Sequence, residues 1–237
     1  QAPSSLRHTL QTMWQMKSFR WFTVGAGLTA FTSYGIGNFT PSFLIRSHGF
    51  DSMQVGIALA VCAGLGGAIG TFLGGLFADK LGQKDMRWYL WIAAIPCMLA
   101  VPFTVSAMVV DSSQLVLVAL FLSTMLGAFY LGPTIAITHT LVSPGMRAMA
   151  SAVLFFVLNL IGLGLGPLSV GMLSDALAPS LGADSLRYAM GILAFMGLFA
   201  AMCYAMGARH LLHDLAKRNQ LEDNSKADDS DDAMVTT

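Results

Sequence analysis

Charge is what this sequence has least of. Only 11% of its residues are Asp, Glu, Lys or Arg, against 55% hydrophobic, whereas a soluble domain carries about 25% charged residues. A chain this poor in charge cannot clothe a water-facing surface, which excludes an ordinary soluble enzyme. Its 13 basic and 13 acidic residues cancel. The basic excess of a nucleic-acid-binding domain is therefore missing, and no nucleic-acid partner is expected. Cysteine is scarce too. Cys62, Cys97 and Cys203 all fall in apolar runs, an odd number that does not pair into a disulfide framework and whose spacings match no metal site. They read as small apolar filler, and no cofactor is expected. His210 and His213 in "HLLH" lack a third ligand. An initiator Met and a signal-peptide pattern are also absent; the polar opening at Gln1 is compatible with a piece of a longer protein or a processed chain.

What the sequence has in quantity is apolar length. A helix needs about 20 apolar residues to cross a bilayer. Six stretches without an acidic or basic residue supply that: Trp21–Ile45, Ser52–Ala78, Trp88–Val110, Leu115–Val142, Ala148–Ser174 and Tyr188–Ala208. Backbone groups in lipid must be satisfied internally, so the expected fold is an all-α membrane protein of six transmembrane helices. Pro41, Pro96, Pro102, Pro133 and Pro167 fall inside these spans and predict kinks.

The basic residues orient the bundle. With the N-terminus in the cytoplasm, inside segments hold Arg7, Lys17, Arg20, Lys80, Lys84, Arg87, Arg147, Arg209, Lys217, Arg218 and Lys226, and the outside loops hold only Arg46 and Arg187. Positive charge stays inside, so both termini are expected to be cytoplasmic. The flanks divide the chain further. Residues 1–17 place Leu6, Leu10, Met13 and Trp14 at helical spacing, as an amphipathic linker helix lying on the membrane surface does. Residues 18–210 form the bundle. Residues 211–237 begin with a short amphipathic piece and become Asp-rich beyond Leu221, a composition expected to stay mostly disordered.

The chain also repeats itself. Gly66, Gly70, Gly75 and Asp79 in the second span match Gly162, Gly166, Gly171 and Asp175 in the fifth, each pair 96 positions apart. Spans one to three and four to six are then two copies of one unit. The second copy starts from the opposite side, so the repeats are inverted, an arrangement found in transporters with the substrate site between repeats near the midplane. The Gly66/Gly70 and Gly162/Gly166 pairs form small-residue faces that let helices approach closely.

No Asp, Glu, Lys or Arg lies inside a span. The candidates for contact with a substrate are uncharged polar residues on kinked helices. Tyr34 and Asn38 share a face of the first span just before Pro41, Tyr130 and Thr134 do the same around Pro133 in the fourth, and Asn159 sits near the middle of the fifth. Each could equally be helix–helix glue. His139, near the inner end of the fourth span, reads as a hydrogen-bonded structural histidine, with a protonation switch as the alternative. Phe39, with Phe31, Phe43, Phe155 and Phe156, makes the polar set part of a largely apolar surface, which suits an amphipathic substrate and equally a lipid-facing wall.

Five charges crowd into nine residues between the second and third spans: Asp79, Lys80, Lys84, Asp85 and Arg87. The pattern Gly75-x-x-Ala78-Asp79-Lys80-x-Gly82-x-Lys84 resembles the loop motif of the major facilitator superfamily, departing from it at Gln83, where the family carries a basic residue. "AITHTLVSPGMRAMASAVLFFVLNLIGLGLGPLSVGMLSDAL", "GADSLRYAM" and "SYGIGNFTPSFLIR" resemble the C-terminal half of the spinster-like branch. The resemblance implies helices seven to twelve of a twelve-helix fold, with the N-terminal half as the missing partner. It implies a secondary active transporter, coupled to protons, that moves a lysophospholipid or sphingoid-phosphate type of lipid by alternating access in a plasma or bacterial inner membrane. It implies that Asp79 meets a helix start in the other half, while the helix start at Arg147 receives that half's equivalent Asp. Gly75, Lys80, Gly82, Lys84 and Asp175 complete the gating motif and its internal copy. Arg46 resembles a position that meets an anionic headgroup or a cross-half carboxylate, or anchors at the interface. Two other readings keep this architecture: a carrier of small organic anions or sugar acids, which usually has Arg or Lys in its cavity, and a six-helix unit working as an oligomer. A membrane enzyme would need spaced intramembrane His, Asp or Ser groups, and none is present in a plausible arrangement.

Overall fold

The structure, a computed structural model, describes residues 6–235 and the side chains of 10–220. Helix α1 (Leu6–Gln15) ends where Met16 turns extended, and α2 (Lys17–His48) starts at once. There follow α3 (Ser52–Gly82), α4 (Trp88–Val109), α5 (Ser113–Leu141), α6 (147–181) and α7 (185–235). The six expected spans lie within α2 to α7. Residues 1–5 of the expected linker and 236–237 of the tail lie outside the described residues.

Four stretches are long and apolar enough to cross a membrane by length and composition: Ser52–Gly82, Trp88–Val109, Ser113–Leu141 and Pro144–Gln220. The last folds back on itself at Gly182, whose φ of 55° is left-handed, and so makes two crossings as α6 and α7. The remaining crossing is α2, whose 32 residues extend about 48 Å. It is less apolar because Thr29, Thr32, Ser33, Asn38 and Thr40 lie on it. Packed against α5, α6 and α7, it is the central helix of the bundle.

Local chemistry explains the breaks. Gly49, at φ 66°, closes α2 with its N–H on the Ile45 carbonyl. Asp51 then caps α3, accepting the Gln54 N–H at 2.8 Å while the Gln54 side chain accepts the Asp51 N–H at 3.0 Å, a reciprocal capping box. In α5 a 3₁₀ turn, Ala128–Tyr130, stands just before Pro133. Proline has no N–H and crowds the carbonyl four residues back, here that of Phe129, so the helix tightens there. Pro167 likewise follows a π-helical segment, Leu158–Leu165.

The internal repeat is visible in the packing. A π-helical segment interrupts α3 at Ala60–Gly66 and α6 at Leu158–Leu165, so each includes one of the paired Gly66 and Gly162. A Cβ on Gly70 of α3 would lie 2.0 Å from the Met125 carbonyl oxygen of α5, and one on Gly166 of α6 would lie 2.6 Å from the Phe31 carbonyl oxygen of α2. The second helix of each repeat thus crosses the first helix of the other, backbone against backbone. In lipid, helix association depends on such close packing rather than on exclusion of water.

The final helix runs on past its span to Val235.

A candidate transport cavity between two apolar layers

Two apolar clusters divide the bundle along its length. One holds Phe22, Leu90, Ile137, Leu141, Leu154, Tyr204 and Leu211; the other holds Phe43, Leu44, Met108, Val116, Met190 and Leu193. On α2, α4, α5 and α7 the residues between the clusters belong to a cavity of about 470 Å³. Its polar lining is hydroxyl: Thr29, Thr32, Ser33, Tyr34 and Thr40 from α2, Thr71 from α3, Thr104 from α4, and Ser123, Thr124 and Tyr130 from α5. None of its lining residues is charged.

The hydroxyls share a habit. Thr29, Thr32, Thr40 and Thr104 each donate to the carbonyl four residues earlier, at 2.9–3.0 Å. Their protons are used within the helix; Thr29 also meets the Cys97 thiol at 3.6 Å, and Thr104 the Ser123 hydroxyl. Gly37 also lines the cavity, and Pro41 removes the N–H that would have met its carbonyl in an α-helix.

The structure sorts the sequence candidates. Tyr34 and Tyr130 line the cavity, Tyr34 being exposed. Asn38 shares a helix face with Tyr34 but donates to the Tyr34 carbonyl at 2.8 Å and lies outside the lining. Thr134 is fully buried and donates to the Tyr130 carbonyl at 2.6 Å. Phe39 and Pro41 are half-buried beside the cavity's α2 wall without lining it, and Arg46 is exposed at the far end of α2. Asn159 is exposed on α6 and donates to the Phe155 carbonyl at 2.7 Å. These side chains have local backbone partners because an amide or hydroxyl on a helix reaches the previous turn more easily than a neighbouring helix. Missed were Thr29, Thr32, Ser33, Thr71, Thr104, Ser123 and Thr124, which the fold gathers from four helices. His139 meets Ser151 of α6 at 2.6 Å.

At the loop between α3 and α4, Asp79 is exposed and accepts the Tyr89 hydroxyl at 3.2 Å. Gly82 is buried against the Tyr89 ring, where a Cβ would lie 2.3 Å from it. Lys80 and Lys84 are exposed, as is Asp175 on α6. Gly75 has open space where a Cβ would point. Arg147 is exposed at the first turn of α6, which has no side-chain cap.

A family model for the Major Facilitator Superfamily matches residues 1–167. The chain is 36% identical over 218 residues to an MFS-type efflux pump of Mycolicibacterium smegmatis, covering 90% of this chain and 51% of that protein. It is 24% identical over 236 residues to Protein spinster homolog 3 of Danio rerio, covering 89% and 46%. A crystal structure of a bacterial homolog to the human lysosomal transporter Spinster, inward-facing and unoccupied, superposes with a TM-score of 0.79 at 25% identity, over 87% of this chain and 50% of that one. The occupied inward-facing form gives 0.76, also at 25%, over 84% and 50%. The chain spans about half the length of the relatives it matches. The inverted repeat and the loop motif therefore belong to a known lineage of transporters rather than enzymes: this chain is a spinster-like member of the Major Facilitator Superfamily.

Proposed function

We propose that this chain supplies the C-terminal six-helix half of a secondary active transporter that moves an amphipathic lipid, of lysophospholipid or sphingoid-phosphate type, by alternating access. The observation that carries the reading is the cavity between the apolar layers, about 470 Å³, with ten hydroxyl-bearing residues among apolar side chains and no charge. Such a surface accepts a polar headgroup without demanding an ion, and sites of roughly 300–1,000 Å³ hold small ligands. A small organic anion would want a cation in the lining, which this half lacks. The efflux pump among the relatives favours export as a second reading of direction.

The span interiors hold no carboxylate, so proton coupling places the titrating group in the N-terminal half. That half is the partner, and Asp79 engages a helix start in it. The uncapped first turn of α6 around Arg147 receives its counterpart, because a helix N-terminus attracts a carboxylate. The basic residues favour both termini in the cytoplasm, in a plasma or bacterial inner membrane.

Flux decides it. The chain is reconstituted in liposomes with an N-terminal six-helix half, and labelled lysophospholipid is followed with and without a pH gradient. Gradient-dependent movement that falls in Asp79→Ala supports the reading. Absence of lipid movement with transport of a small organic acid transfers the fold to the other cargo.

A further inference from the structure

At the Arg46 end of the bundle one cation ties several corners together. Arg187, in the first turn of α7, donates to the Met108 carbonyl, to the Val109 carbonyl at 2.6 Å and to the Asp111 carboxylate at 3.0 Å. It so caps the C-terminus of α4, whose last carbonyls have no partner within the helix. His48, the last residue of α2, packs into this corner. Its ring meets the Phe43 ring edge-on at 5.2 Å and the Phe50 ring at 6.3 Å. Both ring nitrogens are shut off from solvent, and neither has a hydrogen-bond partner. Orphaned buried nitrogens are costly and rare.

The charged groups around His48 come from every neighbouring corner. Arg187 of α7 presses on it with like charge, and Asp111 of the α4–α5 loop opposes. Asp184, between α6 and α7, stands 3.9 Å from the same guanidinium. Asp51 is spent on the capping box of α3, and Arg46 is exposed on α2 itself. The Leu44 and Ile45 carbonyls that end α2 already accept the Phe50 and Gly49 N–H groups at 3.3 and 3.1 Å. A neutral imidazole fits between the two rings. An imidazolium in the same slot faces a guanidinium and has no acceptor of its own. Burial first, and Arg187 second, accordingly hold the His48 pKa below 6.5.

The corner bears on the hydroxyl-lined cavity through α2. Residues from Thr29 to Thr40 form one wall of that cavity, and Pro41 stands between this wall and His48. Proline removes one N–H from the helical ladder and permits a bend there. The segment 42–48 can therefore swing about Pro41 once its far end is free.

We propose that His48 is a protonation switch for this end of α2: neutral, it fastens the helix to the Arg187 corner, and protonated, it releases the segment beyond Pro41 and loosens that mouth of the cavity. In the orientation proposed above the switch answers acid on the outer face. It is separate from the coupling carboxylate assigned to the N-terminal half, because it biases the position of one helix end and carries nothing across the membrane.

The test is hydrogen exchange of the full chain in nanodiscs between pH 5.5 and 7.5, read by mass spectrometry and corrected for the intrinsic pH dependence of exchange. Nanodiscs present both faces to one buffer, so the outcome does not depend on the orientation. The expected result is that protection of residues 42–50 falls by about threefold or more on acidification, while residues 17–28 at the other end of α2 hold theirs. His48→Gln, which cannot charge, removes the pH dependence. His48→Arg, always charged, shows the acid level of exchange already at pH 7.5. If His48→Arg does not fold, the unaltered chain against His48→Gln decides alone. A pH dependence that survives in His48→Gln overturns the proposal. So does protection in the unaltered chain that ignores pH, or that falls equally along the whole of α2, which is general acid destabilisation.

Discussion

The carboxylate of Asp214, on α7, caps the N-terminus of α2 at Ser18, accepting the Ser18 N–H at 2.7 Å and the Ser18 hydroxyl at 2.6 Å. The two residues are 196 positions apart, and both are buried. The extension of the last helix past its span thus has a mechanical role: it brings an acid to the positive end of the central helix, where orphan N–H groups favour a carboxylate.

Asp214→Ala should therefore cost about 1–3 kcal/mol, the range for a buried hydrogen-bonded charge or a lost helix cap. Ser18→Ala should cost less, because the backbone N–H bond to Asp214 survives. Thermal unfolding of both variants in detergent checks the order. Equal effects would show that the hydroxyl, not the cap, carries the stability.

The glycines divide into two kinds. Gly70→Ala and Gly166→Ala put a methyl 2.0 Å and 2.6 Å from a backbone oxygen on the facing helix, so the helices must separate and stability should fall by about 1–3 kcal/mol, the reverse of an ordinary helical Gly→Ala change, which gains roughly 1 kcal/mol. Gly75→Ala meets open space and should be neutral or stabilising in this chain alone. Measuring yield and melting temperature for the three separates packing glycines from a motif glycine kept for the other half.

That division also marks what the sequence could and could not disclose. Spans, inversion and repeat were legible because lipid imposes length and apolarity, and because Gly66 to Asp79 returns at one fixed interval as Gly162 to Asp175. The cavity was only half legible. Tyr34 and Tyr130 were visible beside prolines, but Thr104 and Ser123 come together across α4 and α5, and nothing along the chain announces their common depth. Asn38 and Asn159 attracted attention as costly amides, yet each satisfies itself on its own helix.

His48, beyond the Ile45 end of the first span, has a pKa held below the usual 6.5, first by burial and then by the Arg187 guanidinium, with Asp111 opposing. The folded state therefore binds fewer protons than the unfolded one. Stability from this site is fully present above about 6.5 and declines as pH falls from there towards the lower folded value. His48→Gln should flatten this limb of a melting-temperature profile between about pH 5 and 7. A profile unchanged by the substitution assigns the acid limb to other groups.

Asp79 offers the last prediction, because two partners compete for it. In this half its Oδ1 accepts the Tyr89 hydroxyl; in the proposed assembly it faces a helix start of the other half. A carboxylate at a helix N-terminus is worth about 0.3–1 kcal/mol when exposed, and since 1.4 kcal/mol is tenfold, Asp79→Asn should move the outward-to-inward ratio by no more than about fivefold. Tyr89→Phe removes a rival for the carboxylate and should move it the other way or leave it unchanged. Fluorescence distance measurements across the inner face of the reassembled transporter read both. Movement in the same direction for the two variants would mean that Tyr89 positions Asp79 for the latch instead of competing with it.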